Sequence, residues 1–220
     1  LTGTASININ GTVGATTATT GAFTTVTTTG TINLLTVGRG NGAVATNTAV
    51  GASALAATAT GVRNTGIGAS SLNAVTSGAE NTAVGYYSLV LNSTGSYNTA
   101  LGDQALQGNT TASNNTAVGY ASLFTNSTGT SNTALGFQSL ASNTTANSNT
   151  AVGYQAGYSN TTGAGNQLFG RGAGYGLTTG GANTVVGWLA LENTTTASDN
   201  TAVGAFALQT NTTGANNVAI

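Results

Sequence analysis

The chain has 220 residues, with three basic and four acidic side chains, a net charge of −1, and no Cys, His, Met or Pro. Attraction to nucleic acid or an anionic membrane needs clustered Lys and Arg, so neither is expected as a partner. Without Cys or His there is no disulfide framework, no thiol chemistry and no side chain suited to activating a nucleophile.

Residues 1–46 carry short β-prone runs punctuated by Gly, with Phe23 and Val26 among the few large apolar groups. They read as a β-rich connector or shaft. No run of eighteen apolar residues occurs anywhere, so no transmembrane helix and no membrane insertion are expected. A chain opening on Leu1 and stopping at Ile220, one residue short of a repeat's Gly, reads as part of a longer product.

From Asn47 onward a 17-residue unit recurs without insertion, beginning at Asn47, Asn64, Asn81, Asn98, Asn115, Asn132, Asn149, Asn166, Asn183, Asn200 and Asn217. Residues 47–220 therefore form eleven units, the last truncated. So strict a period argues against disorder and for a stacked repeat, one supersecondary unit per turn. With Asn as position one, position four is always apolar, position five is Gly wherever present, position eight is Ala or Ser, and position nine is Leu except at Gly157 and Gly174. The units are rich in Thr, Val, Asn and Gly, which favour strands and turns over helix. The expected fold is all-β, a β-solenoid or β-roll of 17-residue coils.

Stacking in register predicts ladders, in which Asn81, Val84 and Gly85 meet Asn98, Leu101 and Gly102, then Asn115, Val118 and Gly119. Alternation along the strand puts positions two and four on one face and position three on the other. The larger side chains at position four, with Leu at nine, are expected to point inward and to take the Thr of position two with them. Such a core is thin, and several chains sharing one core would be better buried, so a homotrimer is expected.

Two stretches resemble known families. Residues 12–17 (Thr-Val-Gly-Ala-Thr-Thr) and 21–27 (Gly-Ala-Phe-Thr-Thr-Val-Thr) resemble a connector of tailed-phage tail fibres and related virion proteins. The Asn-Thr-Ala-Val-Gly repeats resemble the heads of trimeric autotransporter adhesins, although the strand motif is one residue shorter here. The resemblance implies a trimeric, elongated attachment fibre on a virion or cell surface, hence an extracellular location. Its role would be structural, a rigid spacer for host attachment with a host glycan or receptor as outside partner.

Candidate sites are few. The carboxylates Glu80, Asp103, Glu192 and Asp199 are too scattered for paired acid–base work, so no enzyme activity, cofactor or metal is expected. Arg63 and Glu80 share position seventeen in adjacent units, which predicts a ladder ion pair. Position six carries Tyr86, Tyr120, Phe137, Tyr154 and Trp188, an aromatic stripe that either seals gaps between coils or subunits or faces a ligand such as glycan. Tyr158 and Tyr175 follow the two position-nine glycines, which suggests a local change of coil shape with the rings taking over the missing Leu volume. The Thr column at position two also permits an ice-binding reading, provided it is flat and exposed. The many Asn-x-Ser/Thr sequons, Asn92 and Asn109 among them, follow from composition alone.

Overall fold

The computed structural model describes residues 37–220 except 42, 43 and 58, so nearly all of the expected connector lies outside the described residues. Among the described residues twelve short strands line up in sequence order in one sheet, from β1 (Val37–Gly38) and β2 (Thr48–Val50) to β11 (Thr201–Val203) and β12 (Val218–Ala219). No helix occurs among the described residues, and the coils repeat about every 17 residues as a parallel β-solenoid. Registers are exact unit shifts: Thr82 pairs with Thr99, Ala83 with Ala100 and Val84 with Leu101. Only β1 departs, pairing antiparallel with β2 and covering the edge of the first coil.

Hydrogen bonding extends around the whole coil. Besides the strand pairs, position nine donates to the position-eight carbonyl of the next coil (Leu123 N to Ser139 O, 3.0 Å). Position seven donates backward to position six (Gln138 N to Tyr120 O, 2.9 Å). Short turns can pair this way because several residues sit in the left-handed region. Leu at position nine has φ of 48 to 54°, and positions seven and seventeen are also left-handed. Each such non-Gly residue costs about 1–3 kcal/mol and persists because ladder and core over-determine it. Position five goes further, with φ of 122 to 141°, which only Gly adopts readily. A Cβ there would also lie 2.4 Å from the Gly102 carbonyl oxygen in the case of Gly85.

The strand faces are reversed from the sequence expectation. Ala83, Ala100, Ala117, Ala134 and Ala151 at position three are fully buried, whereas Leu101 and Leu135 at position four are 47% and 46% exposed. The expectation that position four and its Thr neighbour point inward is therefore corrected. The coil is narrow, so in most units a methyl at position three meets Leu at position nine, and the largest pair in one unit is Val185 with Leu191. The Val84, Leu101 and Val118 ladder exists, but on the outside.

Polar groups complete the interior. The Asn of position one is buried, and its side chain is tied in twice. Asn81 Nδ2 donates to Asn64 Oδ1 (3.0 Å) and to Gly95 O (2.9 Å), while Asn81 Oδ1 accepts from Asn98 N (3.0 Å). A second buried ladder runs at position twelve, where Asn109 Nδ2 donates to Asn92 Oδ1 (2.8 Å) and Asn126 Nδ2 to Asn109 Oδ1 (3.0 Å). Both ladders reach the position-fifteen carbonyl, since Asn92 Nδ2 also donates to Gly95 O (2.9 Å). Burial of so many amides is affordable only because each finds partners.

Candidate functional site

Two surfaces stand out from this scaffold. The first is the outer face of the sheet. Thr82, Thr99, Thr116 and Thr133 are exposed in one column, beside the half-exposed apolar column of position four. At about 4.8 Å per coil, the ten steps from Asn47 to Asn217 span about 48 Å. The Thr column is broken inside the array by Gln167, beside Phe169 at position four, and ends on Val218. The three-residue strands are bonded to neighbours on both sides and leave one side of the sheet to solvent.

The second surface is the aromatic side. Tyr120, Phe137 and Tyr154 stack as a column, with centroids 5.2 and 5.3 Å apart and planes within 18° and 6°. The Arg171 guanidinium continues it, 5.5 Å from the Tyr154 centroid. The faces of the inner ring are therefore used along the axis, and its edge meets solvent. Tyr86 instead meets Tyr87 edge-on at 4.2 Å, and Trp188 tilts against Phe206 at 4.8 Å. Hydrogen bonding with Tyr87 raises the Tyr86 phenol above its ordinary pKa. All five position-six rings are 42–50% exposed.

A parallel column at position ten holds Tyr158 and Tyr175, stacked at 5.2 Å with planes 6° apart. These rings do not replace the missing Leu, as the sequence had suggested. Their coils also keep their shape: Gly157 and Gly174 have φ of 61°, close to the Leu they replace, and Gly157 N bonds Ala173 O in the usual way. The vacant volume belongs to Leu168 and Leu177. A Cβ on Gly157 would lie 2.6 Å from Leu168 Cδ1, and one on Gly174 would lie 2.8 Å from Leu177 Cδ1 and 2.9 Å from Leu168 Cδ2. Leu has moved from position nine to positions three and twelve. The signal was in the sequence, because Leu168 and Leu177 depart from Ala and Asn in the same stretch where position nine becomes Gly.

Charged groups are sparse. Arg63 Nε donates to Glu80 Oε1 (3.1 Å), and the guanidinium Nη2 donates to the same oxygen. This bond raises the Arg63 pKa further. Arg63 is exposed and Glu80 half-buried, and an ion pair so placed at the surface adds little stability. Glu192 accepts from Gln209 in the next coil (2.7 Å). Among the described residues no three acidic groups gather to hold a metal ion. No helix of the described residues is long and apolar enough to cross a membrane. No family profile matches the chain, and neither the curated proteins nor the solved structures compared with it gave a match.

Proposed function

We propose that the chain is a structural fibre segment, in which three copies run parallel and bury their outer sheet faces against one another. The supporting observation is the apolar column at position four, from Val50 through Leu101 and Leu135 to Val203, left half-exposed on a fully bonded sheet. Each of these side chains has about 1 kcal/mol still to gain from burial. Summed over ten coils, that is comparable with the cost of associating two molecules, about 4–15 kcal/mol. A piece of two or three coils would gain too little to associate. The role is that of a rigid spacer on a virion or cell surface, extracellular and non-enzymatic. This accords with the fibre-like connector and repeat motifs of the sequence. Stacked coils set the length and stiffness of the spacer.

Light scattering on the purified chain tests this. The expected mass is about three times 21.2 kDa, unchanged on dilution. Lysine at Val118 and Leu135 together should dissociate it while circular dichroism still reports β-structure. A stable monomer overturns the shared face, and a stable dimer overturns the threefold arrangement. The exposed Thr column favours one second reading, an ice-binding surface. For that, a monomer must show thermal hysteresis that is lost in Thr116→Tyr.

A further inference from the structure

The position-ten column lacks one rung. Phe124, Tyr158 and Tyr175 occupy it, but between Phe124 and Tyr158 stands Ala141, a buried methyl. One step of this column, from Tyr158 to Tyr175, is 5.2 Å. Two such steps leave about 10 Å between the flanking rings, room for one further flat ring at ordinary stacking distance from each. Position seven has a matching gap one coil earlier, where Ala121 lies between Gln104 and Gln138. The two small residues form the floor of a recess of about 260 Å³ that Phe124, Tyr158, Gln104 and Gln138 border. That is below the about 300–1,000 Å³ of sites for drug-sized ligands, so the occupant is about one ring in size.

The walls define its chemistry. Tyr158 is braced from behind by Tyr175, so its other face is held toward the gap. Gln138 Oε1 already accepts from Gln155 Nε2 (2.9 Å), which leaves its own Nε2–H groups as donors. Ser142 adds a hydroxyl to the rim. No charged side chain lines the recess. A group with two apolar faces and a polar, uncharged edge fits this arrangement. An apolar side chain from a protein partner would leave the amides and hydroxyls at its edge unpaired.

We infer that the gap above Ala141 is a subsite for one neutral pyranose ring of a surface glycan, sandwiched between Phe124 and Tyr158, with its hydroxyls on Gln138 and Ser142. The subsite lies on the aromatic side, built from positions seven and ten, and does not depend on the proposed association through the sheet face. Tyr120 of the position-six stripe also borders the recess, but its face toward Phe137 is already stacked.

The test is saturation-transfer NMR and titration of the native chain with neutral oligosaccharides (maltotriose, cellotriose and chitotriose), a sialylated trisaccharide and N-acetyl-tryptophanamide. At least one neutral sugar should bind. Ala141→Tyr fills the rung with a residue that position ten already accepts at Tyr158 and Tyr175. It should keep the β-spectrum and the melting temperature, and reduce sugar binding at least tenfold. Phe124→Leu should weaken binding about three- to tenfold. Sugar binding that survives Ala141→Tyr overturns the inference. So does binding of the sialylated sugar alone, of the indole alone, or of none of these probes.

Discussion

The coils at 98–148 and those at 149–182 share one backbone but fill it differently. In the first group each coil supplies its own Leu at position nine, facing Ala at position three and Asn at position twelve. In the second, Gly157 and Gly174 supply nothing, and Leu168 and Leu177 reach into the space from other positions. The path of the chain is therefore set by the hydrogen-bond ladders and the left-handed residues. The side chains are required only to fill a fixed volume, and they can do so across a coil boundary.

Removing the shared Leu should expose this difference most strongly. Leu168→Ala leaves a cavity walled by two glycines that cannot collapse into it. The expected loss is near the top of the range for such substitutions, about 4–5 kcal/mol, against about 2–4 kcal/mol for Leu123→Ala. Amide hydrogen exchange resolves the loss coil by coil, because repeat arrays can open locally. Equal losses at the two sites would mean that the two coils do not share one filler.

Moving the second arrangement into the first is a subtler test. Asn126→Leu alone overpacks the coil beside Leu123 and leaves Asn109 Oδ1 without its donor, at a cost of about 2–4 kcal/mol. Adding Ala117→Leu and Leu123→Gly reproduces the pattern of 166–182 and should recover at least about 1 kcal/mol through coupling. The orphaned acceptor stays behind. It already exists in the native chain, where the ladder stops at Leu177 and Asn160 Oδ1 is buried without a partner. Urea titration of the single and triple variants gives the comparison, and strict additivity would refute the exchange of volumes.

The smallest effect belongs to the surface of the first coils. Arg63→Gln should lower the melting temperature only slightly at low ionic strength and not measurably at 1 M salt. Melting curves at two salt concentrations measure it. A larger, salt-independent loss would mean that the arginine stem packs against the coil rather than pairing with Glu80.

The period, the coil boundaries and the demand for Gly at position five could all be read from the sequence, because each repeats in identical form. The direction of the strand faces could not be read so simply. Alternation separates Ala83 from Thr82 and Val84 but does not say which side is inside. The larger residue at position four was taken as core by hydrophobicity. The deciding quantity is width: the coil is narrow, Leu106 at position nine fills much of it, and the methyl of Ala100 packs opposite. The Asn ladder at position one was expected from the repeat, whereas the second buried ladder at position twelve was not separable from turn chemistry in the sequence. An amide so often found on surfaces is interior here because its donors and acceptor find partners on neighbouring coils and on the position-fifteen carbonyl. The stacked rings at positions six and ten were visible as aromatic positions, but the missing rung at Ala141 acquires meaning only once Phe124 and Tyr158 are placed on either side of it.

The two amide ladders also bear on how such a chain can change length. Every coil offers the next the same bonds: Asn64 Oδ1 accepts from Asn81, and Asn81 Oδ1 accepts from Asn98. Deleting or duplicating 17 residues in frame therefore restores the position-one ladder, and length changes by a fixed increment of about 4.8 Å. Recombination within the gene would act as a ruler with that graduation, and any other insertion would break that ladder, together with the position-twelve ladder between Asn92 and Asn160. The coils at 149–182 are the exception. Leu168 serves Gly157 and Gly174 together, so these two coils are inherited or lost as a pair.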